Sequence, residues 1–306
     1  MISSMNKLSI CIPTHNRSLL LKKNLNLLSK ISEKDIEIVV GNDGSTDDTK
    51  EVVADFIRQN ANIKIKYIES KKRIFFDKNI IEIVKVASGK FCWLLGDDDL
   101  PKMGSIKKIK SVITKYPNLS LVFLNYSRYD NQLRKITAER MVREITKDVL
   151  FDNGQDFYFA KTKGSYFKFL GTNTITMCTD VVNRKKWLYE VKNLKKYIGH
   201  NFIHSFVIGK IISRPKSVYF VSAPQVQYLA NNSGVWPNSI WKDYNNVLLE
   251  YLQKNGYEKE KIEQMKMSNK EYEQKEAIIK NKILGSIYLI LRPLYTRLQL
   301  LISKYA

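Results

Sequence analysis

Within one residue, the run Trp93-Leu94-Leu95-Gly96-Asp97-Asp98-Asp99 passes from bulky apolar side chains to three adjacent carboxylates. Core packing has no use for that change. Neighbouring anions repel, and burying them costs several kcal/mol unless a cation compensates. A hard divalent ion with oxygen ligands, Mg²⁺ or Mn²⁺ bridging a diphosphate, would satisfy such a cluster; the plainer alternative is an exposed acidic turn. Two further polar clusters follow apolar runs. In Asn42-Asp43-Gly44-Ser45-Thr46-Asp47, Asp43 is placed to accept hydrogen bonds from a base N–H or a ribose hydroxyl, while Asp47 or Asp48 caps the next helix. In Pro13-Thr14-His15-Asn16-Arg17, proline stops a strand and leaves four polar side chains at one edge.

The elements that must position these clusters are short and regular. Leu8–Ile12, Ile36–Val40, Ile63–Ile68, Phe91–Leu95 and Leu119–Leu124 read as buried strands. Leu20–Leu28, Thr49–Ile57, Asn79–Val86 and Ile106–Ile113 have helical spacing. The alternation predicts an α/β fold: a Rossmann-like, mostly parallel sheet covered by helices, with ligands beyond the carboxyl ends of the strands. From Tyr126 to Gly164 the pattern weakens into connections. Further on, Ile175–Cys178 and Ser217–Val221 read as strands and Ile198–Ile212 as a helix. Beyond Asn231 the chain reads as helical, around Ile240–Leu252 and in the charged stretch Tyr257–Lys282. Three widely spaced cysteines, Cys11, Cys92 and Cys178, suit core thiols in a reducing compartment. The apolar run after Met1–Lys7 is too short for a signal sequence, so export is not expected.

Taken together, the three clusters resemble the N-terminal half of the family 2 glycosyltransferases, which have the GT-A fold. The resemblance rests on Pro13 to Arg17, Asn42 to Asp47, Asn79 and Asp97 to Asp99, and covers the first 125 residues. It departs from the family at Asn42, which stands where an aspartate is usual. It implies that Pro13, Thr14, His15 and Arg17 line a nucleotide pocket with Asn79 on the adjoining helix. It also implies that Asp43 holds the base, Asp98 the ribose, and Asp99 a Mn²⁺ or Mg²⁺ on the diphosphate, with Asp97 helping. Lys71-Lys72-Arg73 would add a phosphate contact or stand as solvated charge. The domains would be a GT-A catalytic domain over 1–230, split into a nucleotide-sugar-binding half (1–125) and an acceptor half (126–230), and a helical extension over 231–306.

The reaction implied is inverting transfer of a sugar from a nucleotide-sugar donor to a glycan or lipid-linked glycan acceptor. It needs a base. The acidic pair usual in the family is missing from the expected window, where His200 and His204 lie four apart; on a helix they would share one face and offer a base or an extra metal ligand. Asp180 is a further candidate, or a helix cap. The charge of +21 draws the chain to polyanions. Residues Ile283–Ala306 are rich in Leu, Ile and Tyr but interrupted by Arg292, Pro293 and Arg297, so they suit an amphipathic segment on an anionic membrane better than a span. The expected location is the cytoplasmic side, peripheral on the inner face of the plasma membrane, with a homo-oligomer left open. The rivals are a nucleotidyltransferase, which lacks its Gly-rich loop here, and a basic nucleic-acid-binding protein, which leaves the acid cluster unexplained; no nucleic-acid partner is expected.

Overall fold

The structure, a computed structural model, describes residues 8–31, 33, 35–129, 136–162, 168–213, 215, 217–229 and 243–268. Short apolar runs form the strands. β1 (Leu8–Thr14) and β2 (Ile36–Asn42) are buried at every position, as strands covered on both faces must be. Amphipathic segments form the helices between them: α1 (Ser18–Ile31) turns Leu21, Asn24, Leu25, Leu28 and Ile31 inward, and α2 (Thr49–Gln59) buries Val53 and Phe56. β3 (Lys64–Glu69), α3 (Phe75–Val86), β4 (Phe91–Leu94), the two-residue β5 (Leu100–Pro101), α4 (Ser105–Lys115) and β6 (Leu121–Tyr129) complete the first half.

The second half holds β7 (Ile136–Ala138), β8 (Val149–Phe151), α5 (Gly154–Phe159), β9 (Asp180–Asn183), α6 (Arg184–Val191), α7 (Ile203–Ile211), β10 (Val218–Leu229) and α8 (Leu249–Lys254). One sheet of ten strands runs β3-β2-β1-β4-β9-β6-β10-β5, with β7 on β6 and β8 on β10. β3, β2, β1 and β4 are parallel, as are β6 and β10, while β9 runs antiparallel between β4 and β6. The chain steps outward from β1 to β3 and then returns to the other side of β1 at β4. That reversal opens a crevice at the carboxyl ends of β1 and β4, where doubly wound sheets bind ligands.

Three expectations are corrected. Ile175–Cys178 belongs to 3₁₀ turns, Leu170–Ile175 and Met177–Thr179, and the strand starts at Asp180. The helix expected from Ile198 begins only at Ile203. The stretch from Tyr126 is more ordered than a run of connections: β6 continues to Tyr129, and β7, β8 and α5 follow. All three cysteines are buried and free.

The chain forms two compact units, Met1–Glu258 and Lys259–Ala306. In the second, residues 259–268 are helical, and the amphipathic tail expected at Ile283–Ala306 lies outside the described residues, as does the boundary expected near residue 231. Among the described residues no helix is long and apolar enough to cross a membrane.

Candidate active site

Register brings the three clusters together. Thr14 pairs with Asn42 across β1 and β2, and Cys11 with Leu94 across β1 and β4, so the loops leave the sheet side by side. Backbone bonds continue the pairing: Asp43 donates to the Thr14 carbonyl at 2.9 Å and Leu95 to that of Cys11 at 2.9 Å. Side chains then lock the first two loops. His15 donates from Nδ1 to the Asp43 carbonyl at 2.8 Å, and Asn16, at φ 52°, accepts from the Thr46 N–H at 2.7 Å. Asp47 accepts from the Ser18 N–H at 2.9 Å and the Thr49 hydroxyl at 2.5 Å, serving the first turns of two helices, whereas the Asp48 side chain makes no cap.

The acid turn sits in the crevice. Asp97, Asp98 and Asp99 are 4%, 8% and 6% exposed, so the reading as an exposed acidic turn is excluded. Thr14 donates its hydroxyl to Asp97 at 2.8 Å, and the Arg17 guanidinium spans Asp97 at 3.0 Å and Asp98 at 2.9 Å. Arg17 thus faces the carboxylates. From the buried side of α1, the Asn24 amide donates to the carbonyls of Gly96 at 2.9 Å and Asp99 at 2.8 Å, clamping the turn. A Cβ at position 96 would stand 2.5 Å from the Asp99 carboxylate folded over it, so any larger residue would displace that carboxylate.

Electrostatics leave this turn short of positive charge. Burial pushes the Asp97 carboxyl up to about 6 against the pull of Arg17, with Asp98 adding to the rise. Burial and the Asp98 charge raise the Asp99 carboxyl further, although the Cys178 thiol bonds to it. Asp99 Oδ1 is buried and, among the described residues, has no hydrogen-bond partner. Among the described residues no three His, Cys, Asp or Glu side chains converge on one point. The chain therefore offers one or two carboxylates, which is how Mg²⁺ is held when substrate phosphates complete its coordination, and the orphaned oxygen fits that demand.

Asp43 is 4% exposed, and its Oδ1 accepts from the Ile74 N–H at 2.5 Å. Phe75, next in the chain, is held at φ 65°, a strained conformation for a bulky residue, and is 59% exposed with Arg73 over its ring at 4.8 Å. Lys71, Lys72 and Arg73 are exposed on this loop. Asn79 is buried and donates to the Gly41 carbonyl at 2.9 Å, which fixes α3 to the end of β2. Pro13 is buried as the penultimate residue of β1.

The two histidines do not share a helix face. His200 precedes α7, in a turn with Gly199 at φ 111° and Asn201 at φ 62°. Its ring is partly exposed, with Nδ1 3.1 Å from Asp243 Oδ2. His204 lies inside α7, 2% exposed, edge-on to Phe76, with Nε2 3.3 Å from the Ile175 carbonyl; burial lowers its pKa to about 4. His204 is thus walled into the core beside Phe76, whereas His200 keeps part of its ring at the surface. Asp180 is the buried first residue of β9, and Asn183, rather than Asp180, caps α6.

The sequence reading missed Asp77. In the first turn of α3 and 2% exposed, it accepts from the N–H groups of Gly199 at 2.7 Å, Asn201 at 3.0 Å and Ile203 at 3.2 Å. The segment Ile74–Asp77 thereby ties the Asp43 loop to the His200 loop. Asp77 and Asn24 left a signal in the sequence, since each is a polar residue on the inward stripe of an amphipathic helix. Asp243 left none.

Comparison with known proteins agrees with this geometry. The chain is 26% identical over 227 residues to the abequosyltransferase RfbV of Salmonella typhimurium, covering 72% of this chain and 65% of that protein. It is 29% identical over 167 residues to the GalNAc(5)-diNAcBac-PP-undecaprenol beta-1,3-glucosyltransferase of Campylobacter jejuni, covering 53% and 51%. It thus spans between half and two thirds of the length of these relatives. Among solved structures, Staphylococcus aureus TarS 1-349 superposes with a TM-score of 0.60 at 15% identity, covering 94% of this chain and 77% of that one. The Pyrobaculum calidifontis mannosyltransferase PcManGT, in complex with GDP-Man and Mn2+, gives 0.54 at 12% identity, covering 96% and 80%. These likenesses show a GT-A fold. The model of the family described as Glycosyl transferase family 2 matches residues 9–192, a stretch that contains all but the first residue of β1, the acid turn and β9, and the chain belongs to that family.

Proposed function

We propose that this chain transfers a sugar, with inversion, from a nucleoside-diphosphate donor to a hydroxyl of a glycan or lipid-linked glycan in cell-surface polysaccharide synthesis. The observation that carries the reading is the acid turn: three buried carboxylates at a topological switch point, with the Arg17 guanidinium against two of them and an Asp99 oxygen that has no hydrogen-bond partner among the described residues. The glucosyltransferase relative whose name carries an undecaprenol-linked glycan supports the acceptor class, and RfbV supports sugar transfer.

In this reading Asp43 and His15 hold the base, and Thr14, Arg17 and Asp98 frame the ribose and diphosphate. Asp99, helped by Asp97, would hold Mn²⁺ or Mg²⁺, which when bound supplies Lewis-acid stabilisation of the departing diphosphate. An acceptor oxygen bonds to the anomeric carbon as the bond from that carbon to the diphosphate breaks and its electron pair leaves with the phosphate. The acceptor proton passes to His200 Nε2, the nitrogen left open when Nδ1 faces Asp243, which orients the ring. The reaction would take place at the cytoplasmic face of a membrane.

Melting of the full chain with UDP, GDP or CDP, each with Mn²⁺, tests this. A shift with at least one, followed by turnover of the matching nucleotide sugars, is expected. A flat response to all three, with a shift on adding oligonucleotides, would replace this reading with the nucleic-acid-binding one.

A further inference from the structure

The outer face of α1 is basic. Lys22, Lys23 and Lys30 lie along one exposed stripe and form no ion pair among the described residues. With Lys102 they line an open groove of about 960 Å³ between α1 and β5, and among the described residues no acidic side chain lines it. Leu19 and Met103, 53% and 75% exposed, also line it. Four cations with exposed aliphatic side chains match the two layers of a membrane surface, anionic headgroups above acyl chains. Among the described residues no aromatic ring lines the groove, which makes it a poor surface for stacking bases.

Position gives this face a use. The same helix turns Asn24 inward to clamp the carbonyls of Gly96 and Asp99, so α1 carries the lysines of the groove on its exposed face and holds the acid turn from its buried face. β5, which follows Asp99 directly, supplies the other wall of the groove. We propose that the α1–β5 face docks on anionic lipid headgroups of a membrane, with Leu19 and Met103 entering the acyl boundary and the acid turn held at the surface.

The test is sedimentation of the full chain with vesicles of phosphatidylcholine alone and of equimolar phosphatidylcholine and phosphatidylglycerol. Wild type is expected on the anionic vesicles only, with binding that weakens as salt rises. Lys22→Glu/Lys23→Glu/Lys30→Glu is expected to lower partitioning about a hundredfold. Leu19→Ser/Met103→Ser should lower it about tenfold without changing the salt dependence. Lys185→Glu/Lys192→Glu/Lys195→Glu, an equal charge change elsewhere on the surface, should leave partitioning near wild type. The glutamine triple at 22, 23 and 30 serves if the glutamate one melts early. Wild-type partitioning by the α1 variant would assign attachment to another part of the chain, and an equal fall in the control triple would assign it to net charge; either overturns the proposal. The UDP and Mn²⁺ melting shift of the α1 variants reports separately on the donor site and is expected to be unchanged.

Discussion

The two ends of the parallel sheet each bury carboxylates, and they treat them oppositely. At the amino end of β2, Glu37 has no exposed surface. It accepts from the Ser9 hydroxyl at 2.6 Å and the Ser88 hydroxyl at 2.8 Å, and Lys66 lies 3.3 Å away. Burial alone would raise its pKa, but these partners outweigh burial and lower it. At the carboxyl end, Asp97 and Asp99 are also buried, and both pKa values rise: burial outweighs Arg17 at Asp97, and burial with the Asp98 charge outweighs the Cys178 thiol at Asp99. A carboxylate whose partners are all built into the chain is structural. One left short of a cation is prepared for something the chain does not contain.

The comparison breaks first at Asp99. Asp99→Asn is expected to cut turnover of the donor by about a thousandfold and to remove the UDP and Mn²⁺ melting shift. Without ligand the variant should melt at or above the wild-type temperature, since an amide replaces a strained acid; a large loss of stability would make Asp99 a structural residue like Glu37. His200→Ala should lower turnover about a hundredfold with the donor shift intact, and full activity in that variant would remove the proposed base.

Glu37→Gln should do the reverse, costing about 2 kcal/mol of stability while leaving turnover per folded molecule unchanged. Denaturant titration with an activity assay reads both quantities. The smallest effect is on pH dependence. Asp97, raised from 3.8 to about 6, contributes stability that is complete below its unfolded value and lost as pH rises through 6. Glu37, lowered from 4.5, contributes stability that is present above 4.5 and lost as pH falls through its folded value. Asp97→Asn should therefore gain on wild type between pH 4 and 7, and Glu37→Gln should flatten the acid limb, both read as melting temperature against pH.

Much of the crevice was legible because it is built from local signals. Buried strands announce themselves as apolar runs, and the break from Leu95 to Asp97 is too abrupt for packing. Asn24 and Asp77 were legible in principle, as polar residues interrupting an apolar stripe. The pair His200 and His204 was misleading because a spacing of four implies one face only if the helix is continuous. Here Gly199 and Asn201 take positive φ, and Asp77 gathers the N–H groups of the turn. The sequence holds the glycine but not the carboxylate 122 residues earlier that stabilises the turn.

The alternation of strands and helices over the first 125 residues and the three polar clusters follow from the chain alone, since periodicity and adjacent charges act over a few residues. Tertiary structure decided that Arg17 faces Asp97 and Asp98, that Asn24 holds the acid turn, and that one histidine stays at the surface while the other is walled in. Those outcomes depend on burial and on partners distant in sequence, and a side chain's charge and reach are set by what the fold packs around it.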